Sequence, residues 1–146
     1  MANEILSLSK PNQPILVSCR GAFEAMGKQK EIDNIITLSW HMPASYTPPI
    51  YIIGIGSSQF SLSLIKKTGV FAVNFMGKDY AKEALFCGRN SGLNVDKFKE
   101  TGLTPAECES IDCKYIKESS AVYECEVINE IEVGDHTLIA GKILKK

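Results

Sequence analysis

The stretch Asn34–Phe75, NIITLSWHMPASYTPPIYIIGIGSSQFSLSLIKKTGVFAVNF, carries the readings that decide the fold. Its first part, polar-interleaved and ending in Ser39-Trp40, reads as a strand, and the Pro48-Pro49 pair reads as a turn. The apolar run Ile50–Ile55 is bounded by Pro and Gly and leaves no face for water, which suits a strand buried on both sides. The run breaks at Gly56, and Ser57-Ser58 then opens a helical pattern, serine being a favoured helix N-cap. Val70–Phe75 alternates, with Phe71, Val73 and Phe75 on one face. The order is therefore strand, turn, strand, helix, strand. The helix start, with the hydroxyls of Ser57, Ser58 and Ser61 beside its backbone N–H groups, reads either as a cradle for a phosphate or other anion or as a solvated cap serving no ligand.

Upstream, Pro14–Arg20 reads as a short strand able to pair antiparallel with the run beginning at Asn34, the segment GAFEAMGKQKEID returning the chain between them. Downstream of Ser58, Leu62, Leu64 and Ile65 form the apolar side of the helix, Lys66-Lys67 sits at its negative end, and Gly69 stops it. Asp79 is expected to cap a second helix, YAKEALFC, ending at Gly88, and Asn94 to cap a further turn, VDKFKE. Thr101–Asp112, interrupted by Pro105, reads as connector. A long alternating run then places Tyr123, Cys125, Val127, Ile131 and Val133 on one side and Glu124, Glu126, Glu130 and Glu132 on the other, a strand with one wet face. Gly134-Asp135 separates this run from His136–Ile143 as a two-residue hairpin turn. The count is about six strands and two helices, mostly antiparallel, in a single mainly-β domain over residues 1–146. Such a set closes into a small barrel with helices packed outside.

With 146 residues, 45% apolar and 23% charged, the chain has the composition of a soluble globular domain that folds without disulfides. The net charge of −1 gives no electrostatic reason for nucleic acid or an anionic membrane as partner. No apolar run approaches the roughly 20 residues that span a bilayer, and the start MANEILSLSKPN lacks the basic and apolar regions of a secretory leader. A cytoplasmic location is expected. The five cysteines, Cys19, Cys87, Cys108, Cys113 and Cys125, are odd in number and scattered, so they read as reduced thiols. Cys125 falls on the apolar side of its strand as a small buried group. With only His41 and His136 available, a zinc site would have to draw ligands from distant segments, and no metal is expected.

Gly54-Ile55-Gly56 follows a strand, but Gln59 stands where the dinucleotide fingerprint needs its third glycine, and no parallel βαβ series follows. The G-x-S-x-G elbow, the Walker lysine motif and a helical metal-binding histidine pair are absent from the sequence, which excludes the hydrolase, triphosphatase and metalloprotease classes built on them. Three residues stand out singly. Trp40, the only tryptophan, leaves its strand beside a proline-rich turn either as a lid over the barrel end or as a stacking wall. His136 opens a strand after a tight turn, either solvated or functional. Lys97 taken alone is one more charge on a short helix.

Order and spacing together resemble a family. Asn34 through Trp40, the Ser61 helix after Gly56, Phe71–Asn74, the segment Cys-Gly-Arg-Asn-Ser-Gly-x-x-x-Asp-Lys-Phe at Cys87–Phe98, and Gly-Asp-His-Thr at Gly134–Thr137 are similar to the flavin reductase-like split-barrel flavoproteins, flavoredoxin among them. The resemblance runs from about Pro14 to Ile143. It implies a six-stranded antiparallel split β-barrel, a homodimer with FMN at the subunit interface, and electron transfer from NAD(P)H or a redox protein, as in NAD(P)H-dependent flavin or ferric-chelate reductases and flavoredoxin-like carriers.

By the same resemblance Asn34 and Trp40 flank the isoalloxazine, and Ile36, Thr37 and Ser39 between them are cofactor-binding residues. Ile55, Gly56, Ser57, Ser58 and Gln59 lead to the phosphate, which Ser61 meets. Lys97 faces the flavin's polar end, and His136 lies near the ring as the catalytic residue. A flavin needs an apolar slot with an aromatic wall and N–H-rich surroundings for its phosphate, which these residues can supply. Relatives carry arginine around Gly56 and Gln59, so phosphate binding here is expected to lean on amides, hydroxyls and a lysine or arginine from elsewhere. They also continue beyond the position of Lys146, so a shorter pocket wall is expected. The alternative is a split barrel that has lost flavin and serves as a small-ligand or interaction module. The acidic strand face speaks against an oligonucleotide-binding barrel.

Overall fold

The computed structural model describes residues 13–146. The opening stretch read above for a secretory leader lies outside the described residues. The chain starts with a hairpin, β1 (Ile15–Ala25) and β2 (Lys28–Leu38), paired in register from Ile15 opposite Leu38 to Ala25 opposite Lys28. Its two-residue turn has positive φ at both Met26 (54°) and Gly27 (76°), the backbone twist that matches two strands of an antiparallel pair. β3 (His41–Tyr46) and β4 (Pro49–Gly56) follow as a second hairpin, then helix α1 (Phe60–Thr68) and β5 (Val70–Phe75). A 3-10 turn at Lys78–Tyr80 leads into α2 (Ala81–Arg89) and then α3 (Lys97–Thr101). The short strands β6 (Pro105–Glu107) and β7 (Lys114–Ile116) make a separate ribbon, and the chain finishes with β8 (Ala121–Val133) and β9 (His136–Lys145).

The main sheet has seven strands in the order β2-β1-β5-β8-β9-β4-β3, each neighbouring pair antiparallel. It curls into a barrel whose seam stays open between the end strands β2 and β3, which is a split β-barrel. β1 is buried on both faces and sorts the core in two. Its Ile15, Val17 and Cys19 join Ile36, Ile53, Ile55, Phe71, Val73 and Ile139 in the interior, which α1 completes with Leu62, Leu64 and Ile65. On its other face Leu16 joins Ile35, Met76, Cys87, Phe98, Leu103 and Ile116 beneath α2 and α3.

Six expectations need correction. The sheet has seven strands rather than six, because the stretch between Trp40 and the Pro48-Pro49 turn holds β3, whose pairing with β4 slips between Pro43 and Ser45. The connector Thr101–Asp112 contains β6, whose partner β7 is equally short. Neither serine caps α1: the N-cap is Gln59 without a side-chain hydrogen bond, and Ser57 Oγ instead lies 3.0 Å from Thr137 Oγ1 on β9. Asp79 sits within the 3-10 turn, α2 being capped by Tyr80, and Asp96 rather than Asn94 caps α3 by accepting from Lys99 N at 3.2 Å. The wet face of β8 is not uniform. Glu124 is buried, accepting from the amides of Glu109 and Ser110, whereas Ile131 and Val133 are half exposed beyond a register shift between Val127 and Asn129. The Gly134-Asp135 hairpin stands as read, with Val133 opposite His136.

Candidate functional site

The outer end of β2 passes the start of α1, the end of α2 and the first residue of β9, and these four segments enclose a cleft of about 260 Å³. Pairing of β4 with β9 sets Gly56 opposite His136, and Ser57 N donates to Asp135 O at 2.9 Å, so the hairpin turn is tied to the entry of α1. The His136 ring thereby lies over Trp40, with centroids 4.3 Å apart and planes inclined at 33°. His136 Nδ1 is 2.7 Å from Asp135 Oδ1, and this hydrogen bond holds the Asp135 carboxyl below its ordinary pKa. Trp40 is seated by its own backbone, its carbonyl accepting from Gly54 N at 2.8 Å. A Cβ at Gly54 would stand 3.3 Å from Trp40 Cβ, a tight contact between β4 and the base of the Trp40 side chain.

Ile36, Thr37, Ser39, Trp40, Gly56, Gln59 and His136 all line this cleft, together with Leu38, Gly54, Cys87, Gly88 and Asn90. Thr37 donates its hydroxyl to Ala84 O of α2 at 2.5 Å, fixing that helix against β2. The remaining residues of the expected site lie elsewhere. Ile55 is in the barrel interior, while Ser57 and Ser58 are exposed at the turn into α1.

Asn34, Ser61 and Lys97 are each only 2% exposed and sit behind the cleft wall. Asn34 Nδ2 donates to Ser61 Oγ at 2.8 Å, joining β2 to α1. Lys97 Nζ donates to Ile35 O at 2.5 Å and to Cys87 O at 2.8 Å, joining α3 to β2 and to the end of α2. Burial pulls the Lys97 pKa below its ordinary value, the charged form surviving because carbonyl dipoles replace water. Burial pushes the Cys87 thiol up to about 11, which makes it a packing group at neutral pH rather than a nucleophile.

A larger groove of about 690 Å³ adjoins the cleft and shares Thr37, Ser39 and Gly88 with it. Its walls include Leu16, Met76, Tyr80 and Leu85, and Lys78 and Arg89 are among its lining residues. The sequence reading singled out none of these as site residues, nor Leu38, Gly88 and Asn90 of the cleft. The available signal was Leu38, which follows Ile36 at strand spacing. At the end of α2 the signal was the Cys-Gly-Arg-Asn-Ser-Gly segment from Cys87, quoted above for the resemblance but not assigned to the site.

A family model described as "Flavin reductase like domain" matches residues 9–146, and the chain belongs to that family. An uncharacterized protein of Archaeoglobus fulgidus is 37% identical over 114 residues, which is 78% of this chain and 64% of that protein. The chain thus spans less than two thirds of that relative's length. Among solved structures, the flavoredoxin of Desulfovibrio vulgaris (Miyazaki F) superposes with a TM-score of 0.80 at 26% identity, covering 94% of this chain and 69% of that one. The flavoredoxin of Methanosarcina acetivorans gives a TM-score of 0.78 at 25% identity, covering 92% and 67%. Family membership and these superpositions agree on the split-barrel fold. Among the described residues no helix is long and apolar enough to cross a membrane.

Proposed function

We propose that this chain is an FMN-binding oxidoreductase or electron carrier of flavoredoxin type that works as a homodimer, taking electrons from NAD(P)H or a redox protein and delivering them to a small acceptor. The observation that carries this reading is the Trp40–His136 ring pair lining the cleft together with the apolar Ile36 and Leu38. A flat conjugated ring needs such a wall, and Thr37, Gln59, Asn90 and the first-turn amides of α1 offer hydrogen bonds at its edge. When bound, the flavin supplies the redox chemistry. The residues of the chain bind and orient it, and His136, held by Asp135, presents an imidazole able to give or take a proton near the ring.

Size and charge refine the fit. A cleft of about 260 Å³ is short of the roughly 300–1,000 Å³ of a cofactor pocket, and it becomes adequate only with the adjoining groove or a second subunit. Lysine and arginine are lacking among the cleft's lining residues, so Arg89 and Lys78 of the groove are the candidate cations for a phosphate. Exposed Met42, Tyr46, Ile128, Ile131 and Val133 give the β3 edge and the outer β8–β9 hairpin apolar surface that a partner subunit can cover. The odd, scattered cysteines favour a reducing cytoplasm for this activity.

Trp40 is the only tryptophan, which makes the protein its own probe. FMN added to the flavin-free protein is expected to quench Trp40 emission saturably, with the same midpoint as the change in flavin absorbance. An indole emission that ignores FMN, riboflavin and FAD alike while the protein stays folded would leave the flavin-free ligand or interaction module as the reading.

A further inference from the structure

Three of the five cysteines are spoken for by packing. Cys19 donates to Ser61 O and Cys125 to Tyr123 O, both buried, and Cys87 is fixed beneath the cleft. The other two lie together. The β6–β7 ribbon has Glu107 opposite Lys114 as its last paired rung, and one residue further on Cys108 N donates to Cys113 O at 2.9 Å. The two cysteines thus face each other across the mouth of the loop Glu109–Asp112, close enough for Cys113 to help hold the Cys108 thiol pKa up. Directly opposed residues of an antiparallel pair have Cα atoms roughly 4.5–5.5 Å apart, inside the roughly 4.4–6.8 Å that a disulfide spans.

The ribbon is clamped at that rung. Arg20 on β1, 8% exposed, donates to Glu107 Oε1 at 2.8 Å and to Asp112 Oδ1 at 2.8 Å, and these carboxylates immediately precede Cys108 and Cys113. One guanidinium therefore holds both sides of the loop at the cysteines and anchors them, through Asp33 at 2.7 Å, to β2. Cys113 is fully buried against Ala72 and Ile111, its thiol 3.4 Å from Ser18 O, whereas Cys108 reaches partial exposure. The pair has one sulfur open to attack and a second waiting beside it. Among the described residues no group of three or more His, Cys, Asp or Glu side chains is placed to hold a metal ion.

We propose that Cys108 and Cys113 form a reversible redox site that closes to an intrachain disulfide by exchange with a low-molecular-weight disulfide. Cys108 loses its proton to solvent and attacks one sulfur of the small disulfide, whose other half leaves and is protonated, so that a mixed disulfide remains on Cys108. Cys113 then loses its proton and attacks Cys108 Sγ. The second small thiol leaves and is protonated as the Cys108–Cys113 bond forms. Two protein thiols are oxidised and one small disulfide is reduced to two thiols. Burial and the carboxylates of Glu124 and Glu107 join the Cys113 contact in keeping the Cys108 thiol protonated, so closure at neutral pH belongs to the slow range of such exchange, minutes to hours.

The test is to incubate the full chain for hours with oxidised and reduced glutathione at graded ratios, then denature, alkylate and map the thiols by peptide mass. Toward the oxidised end, alkylatable cysteines are expected to fall by two from five, with the peptide carrying Cys108 and Cys113 lighter by two hydrogens and no glutathione retained. Reduced glutathione in excess should restore both. Cys113→Ser is expected to trap glutathione on Cys108, and Cys108→Ser to leave Cys113 free. Retention of all five thiols at every ratio, or wild-type protein that accumulates glutathione on Cys108 without closing, overturns the proposal. Mapping of the wild type alone decides should either variant fail to fold.

Discussion

The cleft has two layers of polar residues that the sequence reading grouped together and that are opposite in circumstance. Asn34, Ser61 and Lys97 form the inner layer, almost sealed from water and hydrogen-bonded to protein. Trp40, Gln59 and His136 form the outer layer, with Trp40 46% exposed and His136 resting on it. A buried polar group costs stability unless its partners are all in place, so the inner layer acts by holding β2, α1 and α2 at fixed spacing. The outer layer has surface to offer a ligand and little to lose by changing. Residues that a sequence pattern groups as one site therefore divide into those that shape it and those that can touch its occupant.

The hardest blow to the inner layer should come from a residue with no side chain. A Cβ built on Gly92 would lie 2.5 Å from Asn34 Cγ, inside its van der Waals envelope. Gly92→Ala must then displace the Asn34 amide, and a loss of about 3 kcal/mol is expected in urea unfolding, the upper part of the overpacking range. Unchanged stability would mean that this loop yields freely and that the inner layer is not rigid.

Lys97→Met should cost about 2 kcal/mol, because two carbonyls lose a charged donor while a buried charge is relieved. Its pH signature is more telling. The folded pKa of Lys97 lies below its ordinary value of 10.5, so between the two the unfolded chain binds more protons and stability from this group rises with pH. Wild type should show that alkaline rise and Lys97→Met should lack it. Superimposed stability–pH curves would remove the charge from the inner layer.

Ser61→Ala should lower stability by about 1.5 kcal/mol, since Asn34 keeps a buried donor without its acceptor. It should weaken FMN and riboflavin equally. A loss confined to FMN would place the hydroxyl on the phosphate and move Ser61 to the outer layer. His136→Asn completes the series with a stability change within about 0.5 kcal/mol. Under the flavin reading it should still weaken FMN severalfold and alter the pH dependence of the bound flavin's potential.

What could be read from the sequence follows from how local its cause is. The turn at Gly134-Asp135 and the succession β4, α1, β5 were legible because turn chemistry and apolar periodicity act over a few residues. β3 was hidden by Pro43 within it and the Pro48-Pro49 pair beyond its end, and β6 and β7 were too short for any period to register. Ser57 lost its expected capping role to Thr137, 80 positions away, and Glu124 lost its water to the loop at Glu109–Ser110. The site divides in the same way. Trp40, Gln59 and His136 were found on the cleft, but the inward position of Asn34, Ser61 and Lys97 depends on contacts between β2, α1 and α3 that no local pattern records.

The open seam leaves the sheet with two bare edges, and an unpaired edge is an invitation to add strands from other molecules. Both edges are blunted. β3 carries Pro43, which has no N–H to donate, and its register shift spoils the straight ladder that an incoming strand would need. The hairpin end of β2, remote from the cleft, sets exposed Lys28, Lys30 and Glu31 along the other edge, charges that an approaching strand would have to desolvate. The gap that a fully closed barrel would lack is thereby kept from becoming a nucleus for aggregation.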